Sequence, residues 1–289
     1  MIRILKPGDE AILEAFLLPR VETSMFLIGN MRMAGLADRR AAYTGTYAAA
    51  FEEGRIAGVV AHYWNDNLVL QAPVHLDALW RAAVQSSQRP IAGVIGPSDQ
   101  VEAVKEALQI DASRIQLDET EKLYSLRLKD LIVPDSLHSG RLSARRIKPH
   151  DVGLLTAWRV AYSIEAIGDE ESPELWTECR VSVVRSLEKG HTWILADQNQ
   201  PVACSSFNTA FEEAVQVGGV WTPPELRNRG YGRAVVAASL LDARREGVET
   251  AILFTAADNI AAQKAYVALG FRHIGAYRLL LLRPPPYRR

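Results

Sequence analysis

The chain has 289 residues, 48% of them hydrophobic and 23% charged, with a formal net charge of −1. That length holds one large domain or two moderate ones, each able to bury a core. The near-zero charge gives no argument for a nucleic-acid partner or a membrane surface, no apolar run reaches the ~20 residues a spanning helix needs, and the opening "MIRILKPGDE" lacks the basic-then-apolar pattern of a signal peptide.

Taken in chain order, Arg3–Phe16 ("RILKPGDEAILEAF") reads as a short strand, a turn at Lys6-Pro7, an N-cap at Asp9 and a helix. "YTGTYAAAF", "EEGR" and "IAGVVAHYW" follow as strand, turn and strand, and "LVLQAP" as another strand. "HLDALWRAAVQSS" has helical spacing; "IAGVIGP" is a strand leading to a Ser98-capped helix, and "EKLYSLRL" closes the half as a strand. Leu131–Gly140 ("LIVPDSLHSG") has linker composition. Then Arg145–Trp158 ("RRIKPHDVGLLTAW") echoes the opening: Lys6-Pro7-x-Asp9 matches Lys148-Pro149-x-Asp151, 142 residues on. An echo at half the chain length predicts a tandem duplication, with domains 1–138 and 139–289.

In the second half a helix runs from Asp151 to about Ile167, and Ser172-Pro173-Glu174 is a helix start with cap, Pro and first-turn acid. "HTWILAD" and "VACSSFNTA" form a hairpin, "AVQVGGVWT" a strand, and Arg229 to Arg245 a helix. "TAILFTA" is a strand, Asp258 caps the next helix, Gly270 ends it, and "FRHIGAYRLLLL" is a last strand. The order β-α-α-β-β-β-α-β-α-β mixes hairpins with crossovers. It predicts an α/β protein of α+β type, each half a mixed, mostly antiparallel twisted sheet flanked by helices.

The most informative stretch is "PPELRNRGYGRAVV", between a strand and a helix. The first amides of a helix lack intrahelical acceptors and, with the helix dipole, attract anions. Gly230 and Gly232 allow close approach to the backbone, while Arg227, Arg229 and Arg233 add positive charge. A nucleotide diphosphate fits that pattern. The lysine of a Walker loop and the third glycine of a Rossmann turn are both absent.

Two motifs carry a family resemblance, over roughly Arg141 to Leu282. Arg227-x-x-Gly230-x-Gly232 after a strand resembles the acyl-CoA pyrophosphate loop of the GNAT N-acetyltransferase superfamily. Asn259-x-x-Ala262-x-x-Ala265-Tyr266-x-x-x-Gly270-Phe271 is similar to that family's second motif, departing only at Ala265, where the family has Leu. The resemblance implies two tandem GNAT-like domains, with acetyl-CoA as cofactor. The pyrophosphate loop is then Asn228, Arg229, Gly230, Tyr231, Gly232 and Arg233, with Arg227 at its entrance. Val220, Trp221 and Thr222 border the pantetheine arm, Gly218-Gly219 marks the family's strand bulge, and Asn259 bonds the cofactor. Tyr266 is the acid for the leaving thiolate.

Acetyl transfer to an amine also needs a base and an oxyanion donor, the latter a backbone N–H near Val220. Glu165 is the favoured base, with Glu212 and Glu213 as alternatives; Asp169, Glu170 and Glu171 add a field for a cationic amine. The six histidines show no metal-ligand spacing, so no metal is expected. The first half lacks both motifs. Gly96-Pro97-Ser98-Asp99 has the strand–turn–helix shape but puts an acid where phosphate would sit. That half reads as a degenerate copy walling the acceptor site. The expected partner is a small-molecule or peptide amine, with no nucleic acid or membrane, in a monomer or homodimer. Two cysteines, Cys179 and Cys204, suit a reducing cytosol, so a cytoplasmic location is expected. Acyl transfer from aminoacyl-tRNA and a non-catalytic acyl-CoA sensor are the alternative functions.

Overall fold

A computed structural model describes residues 1–283. The chain forms two compact units: Met1–Lys122 with the chain from Gly275 on, and Leu123–Ile274. The first contains β1 (Ile2–Ile4), α1 (Glu10–Leu17), α2 (Val21–Ala34), β2 (Gly45–Glu52), β3 (Arg55–Tyr63), β4 (Asn67–Gln71), α3 (Leu76–Ser87), β5 (Gly93–Pro97), α4 (Ser98–Leu108) and the first part of β6 (Ile115–Arg127). The second contains α5 (Asp135–His138), β7 (Leu142–Arg146), α6 (Val152–Tyr162), α7 (Pro173–Lys189), β8 (Thr192–Asp197), β9 (Gln200–Ala210), β10 (Ala214–Trp221), α8 (Tyr231–Arg245), β11 (Thr250–Ala256), α9 (Ile260–Val267) and the start of β12 (Arg272–Leu282). From β1 to β6 and from β7 to β12, if the short α5 is set aside, the two series match element for element.

Each sheet is antiparallel through four strands, β1-β2-β3-β4 and β7-β8-β9-β10, then parallel at β4–β5 and β10–β11. The last strands are exchanged. From Gly275, β12 belongs to the first unit and pairs with β5, Leu280 opposite Val94. From Leu123, β6 belongs to the second, where Tyr124 and Leu126 join the core. The division therefore falls at Lys122/Leu123 and Ile274/Gly275, not at 138/139. The reason is burial: Leu128 and Leu131, before the expected boundary, pack into the second unit's core. Residues 284–289 of the expected second domain lie outside the described residues.

Alternation along strands sends side chains to opposite faces. In β8, Trp193 and Leu195 face the cluster under α8, while Ile194 faces the one under α6. Trp193, 1% exposed, anchors the first face and its indole N–H donates to Asp242 at 2.7 Å. The first unit's core gathers Val60, Leu70, Leu79, Trp80, Val94 and Val104.

The Lys-Pro-x-Asp echo becomes one lock built twice. Arg3 pairs with Asp9 at 2.6 Å and the Lys6 N–H donates to Asp9 at 2.8 Å. Arg145 pairs with Asp151 at 2.7 Å and the Lys148 N–H donates to Asp151 at 2.7 Å. Both carboxylates are held below the usual range by their arginines, Asp9 at about 2. The sequence suggested that each aspartate caps its helix; neither side chain does, and each reaches back to the turn instead. Ser98 is likewise the first residue of α4, not its cap. Ser172 does cap α7, accepting from the Leu175 N–H at 3.1 Å.

Candidate functional site

The site begins with a strand pair that parts. β10 and β11 run together only at Ala214–Thr250, Val215–Ala251 and Gln216–Ile252. Among the described residues, Val217–Trp221 and Leu253–Ala256 share no ladder beyond that point. On its other side β10 slips twice against β9, between Gln216 and Val217 and between Gly218 and Trp221. Gly219 and Val220 together oppose Ser205, a bulge that frees backbone groups from the ladder. The two glycines there differ in what they avoid. A Cβ on Gly218 would sit 2.1 Å from the Asn208 Nδ2, and Gly219 has φ 59°.

From β10 the chain passes a 3-10 turn, Pro224–Leu226, to Arg227, then two left-handed residues, Asn228 (φ 63°) and Gly230 (φ 79°). Such backbone favours Asn and Gly. α8 starts at Tyr231, two residues later than expected, with no side-chain cap and no acid in its first turn. A Cβ on Gly232 would be 3.6 Å from Thr222 Oγ1 and 3.9 Å from Val220 Cγ1, so the bare backbone of Gly232 looks onto the end of β10.

Arg227 ties three expected residues together. Its Nε donates to the Thr222 carbonyl at 3.1 Å, its Nη2 to Glu165 at 2.9 Å, and its guanidinium lies 5.0 Å from the Trp221 ring centroid. Glu165 sits on a π-helical turn, Ser163–Ile167, that extends α6. Arg229 donates to the Glu225 carbonyl at 3.4 Å and lies within reach of the Tyr231 hydroxyl. Trp221 and Tyr231 point their rings inward. Trp221 meets Tyr162 edge-on at 6.3 Å, and the Tyr231 hydroxyl donates to Asp197 at 2.6 Å. That bond to a carboxylate raises the Tyr231 pKa.

The second motif lies on α9. Asn259, rather than Asp258, caps that helix, its Oδ1 accepting from the Ala262 N–H at 3.0 Å. The Tyr266 ring is 9% exposed and stands 6.0 Å from Phe271 at 63°. Glu212 and Glu213 sit in the β9–β10 turn, at the far end of β10 from the bulge, about 20 Å along the strand. Three residues near the site carried no sequence signal: Asp197, Asn208 and Arg159. Arg159 Nη1 lies 3.7 Å from where a Gly219 Cβ would be, placing a cation beside the bulge.

The first unit's matching positions are closed. β4–β5 pair through Val69–Ile95, and a Cβ on Gly96 would already be 2.9 Å from Leu70 Cβ. Gln100 Oε1 accepts the Ala72 N–H at 2.8 Å across the gap. By element order the counterpart of Thr222–Gly230 is Ala72–His75, without Gly or Arg, and α3 then carries Asp77 in its first turn. The comparison with Gly96–Asp99 was misplaced by one strand–helix unit, because β5–α4 corresponds to β11–α9.

Residues 161–271 match the acetyltransferase (GNAT) family. The second unit carries a GNAT domain. Solved structures similar to the whole chain include a Drosophila protein at 15% identity (TM-score 0.65, covering 97% of this chain and 98% of the other). A tandem GNAT protein from the clavulanic acid biosynthesis pathway matches at 14% identity (TM-score 0.56, 99% and 100%). A GCN5-related N-acetyltransferase from Sphaerobacter thermophilus matches at 16% identity (TM-score 0.56, 99% and 96%). At these identities the likeness speaks to the fold, which is the tandem GNAT arrangement. No curated protein matches the sequence. The GNAT domain gives the chain an acyl-transfer fold. Among the described residues no helix is long and apolar enough to cross a membrane, and no cluster of three His, Cys, Asp or Glu could hold a metal. Both cysteines are free and buried, and burial pushes the Cys204 thiol up to about 12.

Proposed function

We propose that the chain is an acetyl-CoA-dependent N-acetyltransferase with one active site, in the GNAT domain, acting on a primary amine of a small molecule or peptide by direct attack. One observation carries the reading: a parted, bulged β10 leads straight to an uncapped helix start ringed by Arg227, Arg229 and Arg233. The residues suit the cofactor. Gly232 exposes backbone where any larger side chain would project between Thr222 and Val220. The first turn of α8, with its unpaired N–H groups and dipole, attracts the pyrophosphate, and the bulged backbone of Gly219 and Val220 can bond the amides of the pantetheine arm.

Acetyl-CoA, when bound, supplies an acetyl group activated as a thioester. The chain's part is to hold and to move protons. The Val220 N–H donates to the carbonyl oxygen as negative charge develops there, with Arg159 adding positive potential nearby. Glu165 takes the amine proton once Arg227 turns to the phosphate. Tyr266 gives a proton to the departing thiolate. Measuring free thiol released from acetyl-CoA with a panel of amines tests the reading. Turnover with at least one amine class, lost in Gly232→Asp, supports it. Tight acetyl-CoA binding with no turnover on any amine would favour a sensor.

A further inference from the structure

A pocket of about 390 Å³ opens in the first unit, among the end of β1, the start of β2, the end of α3 and the loop before β2. Its volume lies in the range of small-molecule sites, about 300–1,000 Å³. It is not a relic of the cofactor site. Ser86 and Ser87 at the C-terminal end of α3 line it, whereas the counterpart of the phosphate loop precedes the other end of that helix. The 12 residues of α3 separate the two by about 18 Å.

Charge inside the pocket is one-sided. Asp38, the one acid in the lining, is consumed. Arg89 holds it through both terminal nitrogens at 2.6 Å each, the Thr46 hydroxyl donates at 2.7 Å, and the Arg40 N–H at 3.1 Å. Arg89 keeps that carboxyl far below the usual range. Lys6 and Arg40 remain in the lining, and among the described residues neither forms a salt bridge. Ile4, Leu5 and Leu36 add apolar lining. Two exposed cations on a lining that also carries apolar side chains suit an anion with a short aliphatic body. Inorganic phosphate would satisfy the cations and leave the apolar lining uncovered.

We propose that this pocket binds a short-chain aliphatic carboxylate, its head at Lys6 and Arg40 and its tail against Leu36. The proposal stands apart from the transferase reading. Isothermal titration of the full chain with isovalerate, isopentylamine and phosphate tests it. Isovalerate should saturate while the amine and phosphate do not. Lys6→Gln with Arg40→Asn should weaken isovalerate at least tenfold; Asn tolerates the left-handed backbone of Arg40 (φ 54°). Ser86→Trp, at an exposed rim position, should fill the space without disturbing the core. Gly232→Asp in the other unit should leave isovalerate binding unchanged. Absence of saturation in the millimolar range, equal binding of phosphate, or variants that fold and keep wild-type affinity would overturn the assignment, as would loss of binding in Gly232→Asp.

Discussion

The Glu165–Arg227 pair yields a prediction whose sign differs between its two members. In the free protein the pair is 2.9 Å long with side chains 51% and 37% exposed, so screening limits it to about 0–1 kcal/mol. If Arg227 must leave Glu165 to meet pyrophosphate, Glu165→Gln removes a competitor. Acetyl-CoA should then bind up to about fivefold tighter, since 1.4 kcal/mol is tenfold. Arg227→Ala instead removes a charge-assisted hydrogen bond of about 1.5–3 kcal/mol and should weaken binding by about 10- to 150-fold. In the Arg227→Ala background the gain from Glu165→Gln should vanish, as a double-mutant cycle requires. Isothermal titration at low and moderate salt provides the four affinities, with the Glu165 effect shrinking as salt rises. Weaker binding in Glu165→Gln, or a gain that persists without Arg227, would refute the exchange of partners.

Three further outcomes are expected. Tyr266→Phe should lower turnover by about two to four orders of magnitude with acetyl-CoA affinity and melting temperature near wild type; full activity would assign the ring to the core alone. Gly218→Ala puts a Cβ 2.1 Å from the Nδ2 of exposed Asn208, whose side chain can swing away, so chemical denaturation should show a change of about 0.5 kcal/mol or less, and a larger loss would mean that Asn208 is held in place. Burial raises the Glu121 carboxyl from 4.5 to about 7, so the folded chain holds that proton more tightly than the unfolded one. Its contribution to stability is full below pH 4.5 and lost as pH rises to about 7; Glu121→Gln should flatten that part of a melting-temperature profile and be the more stable form at pH 8.

Much of the fold was legible because its signals are local. Ser172-Pro173-Glu174 announces a helix start from three neighbouring residues, and Gly230-Tyr231-Gly232 after a strand announces an open helix mouth. The Lys-Pro-x-Asp echo exposed the duplication, although the aspartates serve the turn rather than the helix. Features resting on distant pairing were not legible. The exchange of β6 and β12 depends on strand order, which hydrophobic pattern does not encode. Asn208 against Gly218 and Glu165 against Arg227 meet only after the sheet and its bulge have formed. Matching the first half to the second failed by one unit because both of its strand–turn–helix segments lack the Gly-x-Gly pair that marks the helix mouth in the second half. Only their order tells them apart.

The central claim is that the start of α8 holds acetyl-CoA. Gly232→Asp tests it most directly, because this glycine lies outside the left-handed region and a Cβ there meets only ordinary contacts at 3.6 and 3.9 Å. The variant should therefore fold and melt like the wild type, while placing a carboxylate at the helix mouth. Titrated with acetyl-CoA, the wild-type chain should bind and gain thermal stability by mass action, and the variant should show neither. Equal acetyl-CoA affinity in a folded Gly232→Asp protein would contradict the account.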